Sequence, residues 1–183
     1  MDQGLIPRRY AKALYEVGEE RNDNETLYGL MQRLADAFSV APDLAPAIAN
    51  PFVAAADKTS LLLHAVYGAD TEKADATYAD FIKLLEQNGR VDMARDIALA
   101  FISLYRKEHS IYRVDIASAA PMPEQQRKRL ENVIAQHVGK GTMEYNYTTD
   151  PSLIGGFTVT VDSQRLDASV SNELQRLRRS LIK

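Results

Sequence analysis

The chain has 183 residues, 45% of them hydrophobic and 26% charged, with a net charge of −3 and no cysteine. That composition is typical of a soluble globular protein of one domain or two small ones. It excludes disulfides, thiolate metal sites and cysteine nucleophiles, and a chain so near neutrality advertises no nucleic-acid surface.

Residues Met1 to Tyr10 contain neither an apolar core of signal-peptide length nor an Arg/Ser-rich leader, and no uncharged run approaches a membrane span. The expectation is a cytosolic protein, or one held at a membrane only through partners. Helix then follows helix. Ile6, Tyr10, Ala13, Leu14 and Val17 form one stripe, broken near Asn22-Asp-Asn24. Leu27, Leu30, Met31, Leu34 and Phe38 form a second, stopped at Ala41-Pro42. A short third helix covers Pro42 to Ala49. The fourth carries Leu61, Leu62, Ala65 and Val66 and stops at Gly68, where a glycine suits a helix end. The fifth, after Asp70, presents Ala74, Tyr78, Phe81, Leu84 and Leu85 before Asn88-Gly89. The sixth runs from Val91 to about His109, with Ala94, Ile97, Phe101, Leu104 and Tyr105 inward. Six short amphipathic helices imply a compact bundle over residues 1–109.

At Ser110 the apolar period drops to two. Tyr112, Val114 and Ile116 alternate with Arg113, Asp115 and Ala117, which reads as a strand. Pro123 suits the first turn of a helix carrying Leu130, Val133, Ile134 and His137 and ending at Gly139. Met143, Tyr145 and Tyr147 give a second strand. Gly155-Gly156, free of Cβ atoms, permits a bulge or a close backbone approach before a third strand, in which Phe157, Val159 and Val161 alternate with Thr158, Thr160 and Asp162. After a brief hairpin, Val170, Leu174, Leu177 and Leu181 recur at helical spacing as a narrow apolar seam that calls for another helix. Strand, helix, strand, strand, helix makes a small α/β domain over residues 110–183, so the fold class is α+β. Residues 1–109 hold 12 basic and 17 acidic side chains (net −5) and residues 110–183 hold 10 and 8 (net +2), which suggests different neighbours for the two parts.

No catalytic or cofactor pattern emerges. His64, His109 and His137 are far apart, each without a second ligand at metal spacing. Gly139-Lys-Gly-Thr142 lacks the contiguous Gly-Lys-Ser/Thr of a phosphate loop and follows a helix, so it reads as a helix stop. Arg127-Lys-Arg129 and Arg178-Arg179 are diluted by flanking acids. Nothing assembles a nucleophile, a base and an oxyanion hole, and the chain reads as a non-catalytic adaptor with no cofactor and no metal.

Two segments resemble the delta subunit family of F-type ATP synthases, whose mitochondrial counterpart is the oligomycin-sensitivity-conferring protein. They are Arg8-Arg-Tyr-Ala-Lys-Ala-Leu-Tyr15, similar to that family's opening helix, and the block from Ile154 to Leu181 with its glycine pair, strand, Asp167-x-Ser169 and leucine repeat. Phe81 to Arg90 looks like the family's fifth helix and Asn-Gly-Arg-type turn. Val114 to Ala120, with the Pro-Met-Pro-Glu-Gln-Gln that follows, fits its post-linker strand and helix start. Ala168 stands where some members have glycine, which leaves a turn there without a freely left-handed residue.

The resemblance implies a stator subunit that links the catalytic head to the peripheral stalk on the cytoplasmic side of the bacterial inner membrane, peripheral to it through the complex only. The implied partners are the N-terminal helices of the alpha subunits and the b subunits of the stalk. An alpha helix would lie between the first and fifth helices, at Tyr10, Ala13, Leu14 and Val17 and at Tyr78, Phe81, Leu85 and Asn88, with Phe81 as an anchor. Val170, Leu174, Leu177 and Leu181 would serve the stalk. Two rival readings are an unrelated helical-bundle adaptor that binds a peptide helix in another assembly, and a small enzyme whose site would need convergent polar groups in a pocket.

Overall fold

A computed structural model describes residues 4–162, 164–170 and 172. It contains seven α-helices and a four-stranded sheet among those residues, and six of the helices precede the first strand. The chain divides into two compact units, residues 1–105 and 106–183. The division falls in the last turn of the sixth helix, ahead of the change in sequence period at Ser110. Arg106 already belongs with the sheet, its guanidinium donating from Nε (3.1 Å) and from a terminal nitrogen (2.6 Å) to Glu144.

The first unit is built from α1 (Leu5–Arg21), α2 (Asn24–Val40), α3 (Leu44–Ala49), α4 (Ala55–Tyr67), α5 (Ala76–Gln87) and α6 (Ala94–Glu108). The second helix buries the five residues its sequence stripe names, Leu27, Leu30, Met31, Leu34 and Phe38. The first helix is rotated from its expected face. It buries Pro7, Ala11, Leu14 and Gly18, while Ala13 and Val17 face out and Tyr10 is half-buried. The cause is close approach. A Cβ on Gly18 would collide with the side chain of Asn24, and the Asn24 amide donates to the Tyr15 carbonyl at 3.2 Å, so α2 begins hard against α1. Small side chains admit that contact; Tyr10 and Val17 would not.

Two other elements are shorter than their periodicity suggests. Thr71–Lys73 and Val91–Met93 are single 3-10 turns, so α5 starts at Ala76 and α6 at Ala94. The start of α5 is fixed chemically: Asp75 accepts from the backbone N–H of Tyr78 at 3.0 Å, a cap worth about 1 kcal/mol. On α5, Ile82 is buried and Leu84 exposed; on α6, Ile102 is buried and Leu104 only half-buried, each one step from the expected face. Tyr28 and Tyr105 stack with ring centroids 4.3 Å apart, and Tyr15 lies 6.2 Å from Phe101, an aromatic cluster that joins α1, α2 and α6.

The second unit orders its strands β2-β1-β3-β4: β1 (Ile111–Ser118), β2 (Thr142–Thr149), β3 (Gly156–Val161) and β4 (Gln164–Ser169). The first two are parallel, with Ile111 opposite Thr142, so the chain must cross over the sheet between them, and α7 (Glu124–Val138) is that crossover. Both other pairings are antiparallel, with Ile116 opposite Val159 and Val159 opposite Leu166. Val114, Ile116 and Val159 meet Ile134 of α7 in the core, with Leu130, Phe157 and Val161 packed around them.

The brief hairpin expected after β3 carries a strand of its own. β4 gives the sheet a fourth strand where three were expected, and Ala168 lies inside it opposite Phe157, so no left-handed residue is needed there. The left-handed position of this hairpin is Asp162, at φ 50°. Gly156 is held at φ +80°, and a Cβ on it would run into the Ala168 carbonyl. The glycine pair thus provides the close approach that lets β4 lie against β3.

Candidate partner-binding surfaces

The α1 and α5 helices are neighbours, tied at one end by Arg21, which donates to Thr77 Oγ1 at 3.1 Å and lies 3.8 Å from the Asp80 carboxylate. One turn back from Arg21 stands Val17, 37% exposed, and one turn on from Asp80 stands Leu84, 44% exposed. Ala13 and half-buried Tyr10 continue the α1 row, and exposed Asn88 continues that of α5. The Asn88-Gly89-Arg90 turn closes α5 through Gly89, at φ +62°, and a 2.8 Å bond from Arg90 N–H to the Leu85 carbonyl. A shallow apolar face therefore runs along this helix pair.

Four of the expected contact residues do not reach that face. Leu14, Tyr78 and Leu85 are core side chains, and Phe81 is only 6% exposed. Their apolar character reflects packing within the unit, and they support the face from behind. Leu84 presents surface instead, although its sequence stripe counted it as inward. The burial of Ile82 decides this, and a list of apolar positions on one helix cannot reveal it.

On the second unit, Val170 is half-exposed at the start of the C-terminal segment, and Leu174, Leu177 and Leu181 lie outside the described residues. The Asp167-x-Ser169 motif has a clear local task. Asp167 Oδ1 accepts from Ser169 N–H at 3.0 Å and from its hydroxyl at 2.6 Å, and the Ser169 hydroxyl accepts from Asn172 N–H at 3.2 Å. This is a helix cap, and it leaves the Asp167 carboxyl lowered from its ordinary pKa, chiefly through the Ser169 hydroxyl. Asp150 repeats the arrangement with Ser152, at 3.0 and 2.6 Å, and is lowered for the same reason.

Other polar groups are engaged structurally. Tyr147 donates to Glu131 at 2.6 Å beneath the Arg127 guanidinium, 4.7 Å from its ring; burial and then Glu131 push its phenol well up. Burial alone would raise Asp115, but hydrogen bonds from Arg113 and Asn146 (each 2.9 Å) hold it below its usual value. Both His64 and His137 are exposed, and His64 Nδ1 donates to the Ser60 carbonyl at 2.8 Å. Among the described residues no group of three or more His, Cys, Asp or Glu side chains could hold a metal ion. A cleft of about 480 Å³ lined by Glu25, Arg33, Tyr67 and Asp75 also occurs, with the Tyr67 hydroxyl accepting from Asp75 N–H at 2.9 Å. It holds neither a histidine nor a hydroxyl paired with a base.

The family model for the ATP synthase delta (OSCP) subunit matches residues 6–181. The chain belongs to the ATP synthase delta (OSCP) subunit family. Among similar delta subunits, that of Parabacteroides distasonis is 34% identical over 182 residues, covering 100% of this chain and 98% of the relative. That of Phocaeicola vulgatus is 32% identical over 179 residues, covering 98% and 95%. A chain in the cryo-EM structure of the Toxoplasma gondii mitochondrial ATP synthase hexamer shares the fold, with a TM-score of 0.73 and 23% identity over 97% of this chain and 98% of that one. Membership of the delta (OSCP) family makes this chain a non-catalytic, structural subunit of the ATP synthase stator. Among the described residues no helix is long and apolar enough to cross a membrane.

Proposed function

We propose that the two parts of the chain divide the stator's work: residues 1–109, a six-helix bundle, hold the N-terminal helices of the head's alpha subunits, and residues 110–183 hold the b subunits of the peripheral stalk. The head is then kept from turning with the rotor, and rotor torque is coupled to ATP synthesis. The subunit sits at the cytoplasmic face of the bacterial inner membrane through these partners alone. The observation that carries the head-binding half is the exposed apolar row on neighbouring helices, Val17 and Ala13 on α1 and Leu84 on α5. An amphipathic helix laid in such a face buries apolar surface that is otherwise wet, with Tyr10 and Asn88 offering polar tips at its rim.

The test is titration calorimetry with an alpha N-terminal peptide. Replacing both Val17 and Leu84 by Asp should cost about 2 kcal/mol or more of binding and leave folding intact. Unchanged affinity would move the alpha site elsewhere. A chain ended after Asp167 tests the other half: it should still bind alpha peptide, lose the stalk, and uncouple ATP hydrolysis from proton pumping in membranes. Full stalk recruitment by the shortened chain would defeat the stalk assignment.

A further inference from the structure

The helix α7 covers only part of its sheet face. Arg127 and Glu131 lean toward edge strand β2 through Tyr147, and Ile134 points to the core. At about 100° per residue, Leu130, Val133 and His137 then lie on the opposite flank, toward β3 and β4. There Val133 is 62% exposed, and Leu166 of β4, on the same sheet face by its pairing with Val159, is 63% exposed. Half-buried Phe157 and Val161 lie between them, on the same face of β3. The result is a trough walled by α7, floored by β3 and rimmed by Leu166. Its floor strand has six residues, close to 20 Å, which is roughly four turns of helix.

The charge of this trough is one-sided. The flank of α7 carries Arg129, which makes no ion pair among the described residues. No carboxylate occupies that flank, and the β4 positions sharing the face are Gln164, Leu166 and Ala168. Asp167, like Arg165, points to the other face.

We propose that this trough is a docking site for an acidic amphipathic helix, one whose apolar stripe covers Val133, Phe157 and Leu166 and whose carboxylates meet Arg129. The inference rests on the stalk-binding reading of residues 110–183. Apolar contact supplies the affinity, and the cationic wall selects against a basic or neutral helix.

The probe is the soluble part of the stalk's b subunit, titrated into the full-length chain. The double variant V133E/L166E, at exposed positions, should keep the wild-type melting curve and lose about tenfold or more in affinity. R129E should weaken binding at low salt and less so at high salt. Lys128→Glu, the same charge change on the other side of α7, at an exposed position, should bind as wild type. Wild-type affinity in V133E/L166E overturns the trough while leaving the stalk reading intact, as does an equal loss in Lys128→Glu. If the unaltered chain does not bind the b subunit, the stalk reading itself fails. A dimer in sedimentation velocity that V133E/L166E dissolves would make a second copy the occupant and overturn the acidic-helix assignment.

Discussion

The unit over residues 1–105 and the unit over residues 106–183 reach a stable fold by different means. Ten of the twelve largest fully buried side chains described lie in the first, including Tyr78, Phe101, Met31 and Leu27; the second contributes only Val114 and Ile116. Among the described residues the sheet packs on α7, and that leaves a small interior to fill. The sheet depends instead on backbone geometry: the Gly156 approach, two Asp-Ser turns, and the Arg113–Asp115–Asn146 hydrogen bonds on the face away from α7. The lesson is that side-chain volume governs tolerance in the first unit, and φ/ψ and hydrogen bonding govern it in the second.

Substitutions can break this contrast. The largest effect should come from Phe81→Ala, which removes a buried ring and should cost roughly 3–5 kcal/mol in denaturant melts of the first unit. A cost below about 1 kcal/mol would mean that Phe81 is a surface anchor after all. Next, Gly156→Ala adds one methyl against a carbonyl at positive φ and should destabilise the second unit by about 2 kcal/mol or more. The helical unit should melt unchanged, and two transitions followed by circular dichroism at 222 and 215 nm, roughly the helix and sheet signals, would show it. Asp75→Ala should cost the first unit about 1 kcal/mol, the value of its cap on α5. A loss of 3 kcal/mol would mean that hydrogen bonds matter as much here as in the sheet.

The smallest effect concerns pH. Asp150 and Asp167 have folded-state pKa values lowered by their serine partners. Their contribution is therefore present above the ordinary carboxylate value and is lost as pH falls through the lowered one. Protection of the Ser152 and Ser169 amides from exchange, relative to the free-chain rate at the same pH, should fall in acid, beginning below about pH 4. Asp167→Asn should flatten the response at Ser169 alone. An unaltered profile in that variant would remove Asp167 as its source.

Much of this was legible in the chain. The helix count before Ser110, the strand at Val114, the crossover helix after Pro123 and the glycine approach all follow from period and punctuation. What escaped was rotation and edge. The α1 helix buries Ala11 and Gly18 because tight packing selects small residues, and a stripe drawn through the larger apolar ones finds the opposite face. The β4 strand escaped because Gln164, Arg165 and Asp167 carry no apolar alternation; an edge strand is held by backbone pairing on one side, which leaves little trace in side chains. Which apolar residues of α1 and α5 lie at the surface was half visible: Val17 and Ala13 are exposed, but Leu84 could be separated from Phe81 only by their burial.

The sheet order has a consequence for how the chain is made. The first unit precedes the second along the chain, so once Tyr105 has emerged it can fold while the rest is still being translated. The second cannot. Its central strand β1 leaves the ribosome early, yet Val114 must wait for Tyr145 and then for Val161 before both its edges are paired. During that interval a Val- and Ile-bearing strand stands open after the helical unit has been made, and the nascent second unit is the point at which chaperones would be expected to engage.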